Sequence, residues 1–444
     1  MTSAHSVPPV EAQDGYLVSK RHAWLVFSMA FLLMVFDFVD RQVIVSMFPY
    51  LKAEWALSDK QLGALVSVVS VTVALGTFPI ALIVDRWSRV KSIAVMATVW
   101  SLATIACGFS RSYAQLFAAR SVVGLGEAGY GPAAGALLSA IFPARLRGTV
   151  IGAFLAAGSI GSVLGVVLGG VISARWGWQA GFGVVGVPGL VLALLFLSVR
   201  DYKNVAGARS GGVSGAGGPQ TRGPGMAVGL FRARSGVAAN VGGAMQLFVV
   251  STVYVWLPSF LNRAYGLPGS EAGMKAAIVV LVGSVGTIVW AHVADRLSHV
   301  NPRNKLRVPA ACAVTTWALL TAAFALLPPG GAQFLLIVLA GFVMTASVGP
   351  VAAVAMDVVH PGLRARAAAM VIVVQNLFGF ATGPVLSGAL SDAYGLQTAL
   401  ALVPLFCLAA AAVFVLGSLR YEADLKDVEP VPVTLSGAAP SAAT

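Results

Sequence analysis

Residues 36–41 read Phe-Asp-Phe-Val-Asp-Arg and lie inside the first long apolar run of the chain, residues 23–47. The sequence therefore places the charges of Asp37, Asp40 and Arg41 at membrane depth, where an unpaired charge costs several kcal/mol. A second stretch of this kind contains Arg120 and Glu127. The two stretches are predicted to supply each other's charged partners.

The composition excludes an ordinary soluble protein. Of the 444 residues, 58% are hydrophobic and 10% are charged, whereas soluble domains carry about 25% charged residues. The apolar runs reach the length of about 20 residues that a helix needs to cross a bilayer. We therefore predict an all-α membrane protein with many spans.

Twelve transmembrane helices are predicted, six on each side of a Gly-, Ser- and Pro-containing segment. Such a composition cannot bury a core and is typical of a flexible linker. The predicted domains are a disordered cytoplasmic tail (1–22), an N-terminal six-helix bundle (23–199), a flexible cytoplasmic linker (200–235), a C-terminal six-helix bundle (236–418) and a cytoplasmic tail (419–444). The predicted spans are 23–47, 60–84, 92–109, 113–141, 147–172, 180–199, 236–261, 272–294, 307–327, 333–357, 367–390 and 397–418.

The basic residues indicate which way the chain crosses the membrane. Of the 29 Lys and Arg residues, 21 lie on the side of the termini and linker, six lie on the opposite side, and Arg41 and Arg120 lie within the membrane. By the positive-inside rule, both termini are predicted to be cytoplasmic, in the plasma (inner) membrane of a bacterium. Topology thus accounts for the net charge of +12, and no nucleic-acid partner is expected.

The two halves of the chain resemble each other in sequence. Four short matches recur in the second half, at offsets of 218 or 210 residues: Gly131-Pro132 with Gly349-Pro350, Pro143 with Pro361, Trp176-Gly177 with Tyr394-Gly395, and Asp85-Arg86 with Asp295-Arg296. They predict a duplicated six-helix unit with both copies in the same orientation. Transporters built in this way bind substrate near the midplane, between the halves.

The loop after the second span, with Asp85-Arg86 and Arg89, is similar to the signature Gly-x-x-x-Asp-Arg-x-Gly-Arg-Lys of the major facilitator superfamily. It departs from that signature at Ala81 and Ser88, where glycines are usual. The chain resembles this superfamily along nearly its whole length, outside the tails and linker. The resemblance implies two bundles related by a pseudo-two-fold axis, and a transporter rather than an enzyme.

Within the superfamily, the sharpest likeness is to the Spinster-like group, and the next is to the anion:cation symporters. Both groups carry Asp-Arg in helix 1 and a Gly-x-Gly-Glu-Ala or similar motif in helix 4, here Asp40-Arg41 and residues 124–128. Asp37 stands where Spinster-like proteins usually have Asn. The first resemblance implies transport of lysophospholipids or related single-chain lipids. The second implies small organic anions such as sugar acids.

Three carboxylates facing two arginines leave one negative charge without compensation, which favours protonation of one carboxyl group in an apolar site. We expect Asp40 and Glu127 to be the proton-coupling carboxylates and Arg41 to be their switchable partner. A fixed ion-pair network that orients helices 1 and 4 is the alternative. The corresponding positions in the second half are near Val249 and Val250, and at Thr345, so proton handling is predicted in the first half.

The remaining polar residues at membrane depth are predicted substrate contacts: Asp37, Arg120, Tyr130, Gln246, Tyr254, Gln375 and Asn376. The aromatic side chains of the second half favour a lipid substrate over a sugar acid: Phe248, Tyr254, Trp256, Phe378 and Phe380. Charged residues at cytoplasmic helix ends are predicted to gate the inner mouth: Asp85, Arg86, Arg89, Asp295 and Arg296. We expect a monomer in the lipid bilayer, with a proton gradient as the energy source and no cofactor or metal.

Overall fold

The computed structural model describes residues 16–199 and 233–428, which are mostly α-helical. Nearly all of the predicted linker and most of both predicted tails lie outside these residues. We number the membrane helices α1 to α12. Their bounds are α1 Lys20–Val43 and Phe48–Trp55, α2 Asp59–Arg86, α3 Arg89–Gly108, α4 Tyr113–Glu127 and Tyr130–Ile141, α5 Ala144–Trp176, α6 Trp178–Phe196, α7 Arg234–Tyr265, α8 Gly269–Val300, α9 Asn304–Thr321, α10 Gly331–Met344 and Val348–Asp357, α11 Arg364–Val374 and Thr382–Tyr394, and α12 Leu396–Leu402 and Leu405–Lys426.

In the described part of the chain, eleven helical spans are long and apolar enough to cross a membrane. The remaining span, α4, is divided at Ala128 and Gly129 into two segments that are each too short to qualify alone. Helix α10 is divided at the corresponding place, between Met344 and Val348. The prediction of twelve transmembrane helices in two six-helix bundles is confirmed.

The two halves share backbone geometry as well as sequence. Gly177 ends α5 with φ +82° and ψ 161°, and Gly395 ends α11 with φ +84° and ψ 153°. Residues with a Cβ atom rarely adopt this conformation, so glycine is needed at both turns. The recurrence of this turn, 218 residues apart, supports the predicted duplication.

We call the membrane face where α1 begins, at Lys20, the terminal face, and the opposite face, at Asp59, the distal face. The halves meet where α2 packs on α11 and where α5 packs on α8. Helix α1 also reaches the second half, because its 3-10 turn at Ile44–Met47 packs on α7 and α8. In the segment after this turn, the ring of Phe48 lies 5.4 Å from the ring of Trp256 in α7.

Helix α5 carries a row of glycines that brings it against the backbone of α1. A Cβ atom at Gly161 would lie 2.4 Å from the Val35 carbonyl oxygen, and one at Gly165 would lie 2.7 Å from the Val39 carbonyl oxygen. Such proximity is possible only because these positions have no side chain. One face of α1 is therefore closed against α5, which leaves its charged face turned towards α4.

We predict that Gly161→Ala destabilises the protein by about 1–3 kcal/mol, because the added methyl group must push α1 away from α5. Gly152→Ala, in the same helix, is the matched control, since a Cβ atom there meets nothing within 4 Å. Thermal unfolding in detergent measures both variants. Equal unfolding midpoints for the two variants would contradict the packing argument.

Candidate functional site

The glycines of the motif at residues 124–128 allow α4 to pack closely against α2 and α3. A Cβ atom at Gly124 would lie 2.5 Å from the Val69 carbonyl oxygen of α2, and one at Gly126 would lie 2.8 Å from the Trp100 backbone nitrogen of α3. This close packing sets the rotation of α4. As a result, Glu127 is buried and faces α1.

The structure brings the five membrane-depth charges of α1 and α4 together as a buried charge cluster. Arg120 Nη1 lies 3.2 Å from Asp40 Oδ2 and also donates to the Asp40 carbonyl oxygen, at 3.2 Å. Arg41 Nη2 lies 2.8 Å from Glu127 Oε2, and Arg41 Nε donates to Asp37 Oδ1 at 3.2 Å. Arg120 thus serves one carboxylate, whereas Arg41 is shared between two.

The two arginines differ in their contact with solvent. The side chain of Arg120 is 0% exposed, whereas that of Arg41 is 25% exposed. Arg41 also lies over the ring of Phe38, with Cζ 5.6 Å from the ring centroid. The Arg41 side of the cluster can therefore exchange partners with water or a ligand, while the Arg120 side is sealed within the bundle.

The carboxylates of the cluster retain unused acceptor atoms. Within the described residues, Asp40 Oδ1 and Glu127 Oε1 have no hydrogen-bond partner. With all five groups ionised, the cluster carries one net negative charge, which is costly in an apolar interior. A proton added to one of these carboxylates would neutralise that charge.

The equivalent region of the second half contains neutral contacts. Val249 and Val250 are buried among apolar side chains. Thr345 Oγ1 donates to the Gly283 carbonyl oxygen at 2.8 Å, and Gln246 Nε2 donates to the Met344 carbonyl oxygen at 3.0 Å. The duplicated fold therefore carries its charged chemistry at this level in the first half.

The predicted substrate contacts fall into three groups. Asp37 and Arg120 belong to the charge cluster, and Gln246 and Tyr130 are buried with protein partners; the Tyr130 hydroxyl donates to the Ala30 carbonyl oxygen at 2.6 Å. The three that remain partly exposed are Tyr254, Gln375 and Asn376.

Helix α11 has a π-helical turn at Gln375–Phe380, a distortion that is frequent at functional sites. The Gln375 side-chain nitrogen in this turn has no hydrogen-bond partner among the described residues. Phe378 and Phe380, in the same turn, are exposed. This turn therefore offers both apolar and polar groups for contact with a ligand.

Two of the aromatic residues expected to face a substrate are packing residues instead. Trp256 is fully buried and donates from Nε1 to the Pro384 carbonyl oxygen at 3.2 Å. Phe248 is buried against Phe406, with ring centroids 4.4 Å apart. The expectation that Trp256 and Phe248 line a substrate cavity is wrong, because Phe248 joins two helices of the second half and Trp256 packs against both α11 and Phe48 of α1.

The predicted gating residues stay a prediction. The side chains of Asp85 and Arg86 lie outside what the structure describes, and Arg89 is the first residue of α3. Asp295 and Arg296 are exposed near the terminal end of α8. Ser88, where the superfamily usually has glycine, accepts a hydrogen bond from the Lys91 backbone nitrogen at 3.1 Å and caps α3.

The sequence analysis missed a buried carboxylate, Asp59, at the distal start of α2. Its partners Arg263 and Ser391 lie 204 and 332 residues further along the chain. Aspartate is common in the first turn of any helix, so its position alone carried no signal. The polar residues near the ends of α7 and α11, Arg263 and Ser391, were the available indication that Asp59 has a partner.

The fold consists of two six-helix halves, and its charge cluster is buried except at Arg41, which is partly exposed. This arrangement is that of a multi-pass membrane transporter of the alternating-access type. Residues 30–380 match the family model described as the Major Facilitator Superfamily, and the chain belongs to that superfamily.

The relatives of this chain carry names of different kinds. The chain is 27% identical over 424 residues to an MFS-type efflux pump of Mycolicibacterium smegmatis, covering 91% of this chain and 95% of that protein. It is 27% identical over 418 residues to human protein spinster homolog 1, covering 87% and 77%. It is 26% identical over 299 residues to a probable L-galactonate transporter of Escherichia coli, covering 66% of each.

A solved structure shares the fold. A bacterial homolog of the human lysosomal transporter Spinster, in an inward-facing and occupied conformation, has a TM-score of 0.81 and 22% identity, covering 92% of this chain and 99% of that chain. The Spinster relatives confirm the resemblance that Asp40-Arg41 and residues 124–128 suggested.

We predict that Asp40→Asn lowers stability by about 3 kcal/mol, because it removes the carboxylate partner of a buried arginine. Glu127→Gln should cost about 1 kcal/mol or less, because Arg41 keeps Asp37 and is partly exposed. Thermal unfolding of the two amide variants at one pH measures the difference. A larger loss for Glu127→Gln would contradict the assignment of partners.

Proposed function

We propose that this protein is a proton-coupled secondary transporter that moves lysophospholipids or related single-chain amphipathic lipids by alternating access. The observation that carries the proposal is the position of Arg41. Its guanidinium is shared between buried Glu127 and Asp37 and is itself 25% exposed. A group in this position can change its partner when one of the carboxylates takes up a proton.

Charge balance links the proton to the transport cycle. The ionised cluster carries one net negative charge. During transport the two halves must pass through an occluded state, in which that negative charge is shielded from water. Protonation of Glu127 neutralises the cluster and lowers the cost of that state. Arg41 then keeps Asp37 as its carboxylate partner and gains a free donor for an anionic group of the substrate. Asp40 keeps Arg120 as its partner in this step, and as the second coupling carboxylate it would take up a proton on Oδ1 in a separate step.

The second half supports an amphipathic substrate. Among the described residues, its interior holds no counterpart of the charge cluster at the equivalent level, and its π-helical turn carries exposed Phe378 and Phe380 together with Gln375 and Asn376. An acyl chain would contact the rings, while the amides and Arg41 would receive the polar head. The similarity to human protein spinster homolog 1 over 87% of this chain supports the Spinster-like resemblance, and that resemblance implies lysophospholipids or related single-chain lipids.

Proton symport of small organic anions such as sugar acids is the second candidate. The similarity to a probable L-galactonate transporter favours it, and the partly exposed Arg41 could bind a carboxylate. The described polar groups of the second half provide few donors for sugar hydroxyls, which favours the lipid.

The charge distribution supports an orientation with the terminal face in the cytoplasm, and the bacterial relatives support a bacterial plasma membrane as the location. No cofactor is required, because the energy comes from the proton gradient. The proposed working unit is the monomer, since each half supplies one part of the site.

We predict that Glu127→Gln abolishes uptake driven by a pH gradient while the protein folds normally, because an amide cannot exchange the proton. Proteoliposome uptake with and without a pH gradient measures the effect. Glu422→Gln, which removes a partly exposed carboxylate paired with Arg303, is the control and should retain gradient-driven uptake. Full gradient-driven uptake by Glu127→Gln would overturn the proton assignment.

A ligand screen separates the two substrate classes. We expect lysophospholipids, at two pH values, to raise the unfolding temperature of the purified protein, and L-galactonate to leave it unchanged. Lysophospholipids also act as detergents, so Gln375→Ala serves as the control and should reduce the shift. Stabilisation by L-galactonate alone would replace the lipid proposal with the organic-anion proposal.

A further inference from the structure

On the distal face, a carboxylate of the first half is held by side chains of the second half. Buried Asp59 accepts two hydrogen bonds from Arg263 of α7, from Nη1 at 2.6 Å and from Nη2 at 2.7 Å. Ser391 Oγ of α11 and Lys52 Nζ of α1 each donate to it at 2.5 Å. A bidentate arginine–carboxylate pair with these additional donors is a strong and directional contact.

A second carboxylate crosses the interface in the opposite direction. Asp392 of α11 accepts from the backbone nitrogens of Asp59 and Lys60, at 2.7 Å and 2.9 Å. These amides belong to the first turn of α2, where the helix itself supplies no acceptor and a negative charge is favourable. The start of α2 is therefore tied to the second half through both its side chain and its backbone.

The backbones of α2 and α11 are also in direct contact at this place. A Cβ atom at Gly388 would lie 2.5 Å from the Asp59 carbonyl oxygen, and one at Gly63 would lie 2.2 Å from the Pro384 carbonyl oxygen. Two helices that approach this closely leave no path for a solute between them. The polar contacts thus lie where the distal face is sealed.

The contacts of Asp59 with Arg263 and Lys52 can be broken, because water can replace these hydrogen bonds. The side chains of Arg263 and Lys52 are 32% and 39% exposed, while that of Asp59 is 2% exposed. A cavity of about 410 Å³ adjoins the network and is lined by Lys52, Asp59, Arg263 and Asp392, among others. Opening of the distal face would hydrate Asp59, which removes the cost of an unpaired buried charge.

We propose that Asp59 is the centre of a distal lock, formed with Arg263, Ser391, Lys52 and Asp392, that holds the distal face closed during the transport cycle. The lock sets the population of the distal-open state and acts independently of which substrate is carried. Lys52 lies in the α1 segment that follows the 3-10 turn at Ile44–Met47, so α1 carries both a residue of the lock and three residues of the charge cluster.

A buried reporter cysteine tests the lock. Ser259, one turn before Arg263 in α7, is buried with no hydrogen-bond partner for its hydroxyl among the described residues. Ser259→Cys, with Cys107, Cys312 and Cys407 replaced by Ala, is placed in lipid nanodiscs and treated with a water-soluble maleimide. We expect Asp59→Asn to raise the labelling rate about tenfold, by shifting the population towards the distal-open state.

Lys60→Gln is the matched control, because Lys60 is exposed on the same face and only its backbone nitrogen takes part in the lock. It should leave the labelling rate unchanged. An unchanged rate in folded Asp59→Asn, or an equal increase in Lys60→Gln, would overturn the proposal. Labelling needs neither substrate nor a pH gradient, so its outcome is distinct from that of the transport assays.

Arg263→Gln keeps the test decisive if Asp59→Asn does not fold. In this variant Asp59 retains Lys52 and Ser391 as donors, so a smaller increase in the same direction is expected. Gel filtration establishes that the variant is folded before labelling. No increase in folded Arg263→Gln would also overturn the proposal.

Discussion

The pairing of charges between α1 and α4 is the constraint on which the rest of this structure depends. Asp37, Asp40 and Arg41 lie in an apolar bundle, so each must find a partner at its own depth. Arg120 and Glu127 lie two turns apart on α4, whereas their partners Asp40 and Arg41 are adjacent on α1, so the long arginine side chains span the difference in level. A small shift of either helix would leave a charge unpaired. The packing around both helices must therefore hold their positions and rotations closely.

That packing is supplied by glycine on two sides. On α5, Gly161 and its neighbours contact the backbone of α1; on α4, Gly124 and Gly126 contact α2 and α3. The glycines lose conformational freedom on folding, yet they allow backbones to approach and so fix the helix rotations that the ion pairs require. The second half repeats the backbone geometry, including the turn at Gly395, but fills the corresponding level with valines and neutral hydrogen bonds. Duplication has therefore preserved the scaffold while the charged chemistry lies in one copy.

The sequence alone predicted the twelve spans and the residues of the charge cluster, because hydropathy marks a span and a charge inside one is conspicuous. It did not predict how the arginines share the carboxylates, since Arg41 and Arg120 could each reach more than one partner along the helix faces. Trp256 and Phe248 were assigned to the wrong surroundings for a related reason. An aromatic residue in an apolar helix has the same appearance whether it faces a cavity or a neighbouring helix. Asp59 was missed because its partners lie in the other half and its position at a helix start is ordinary.

Helix α1 links the two polar regions in one continuous element. Its first segment carries Arg41, which is shared between Asp37 and Glu127, and its second segment carries Lys52, which contacts Asp59 at the interface between the halves. The 3-10 turn between them has fewer residues per turn than an α-helix, so a change there rotates one segment relative to the other. A change of partner at Arg41 that rotates α1 would consequently move Lys52 and Phe48 against the second half. The charge cluster and the distal contacts therefore both act on α1, which is the element that they share.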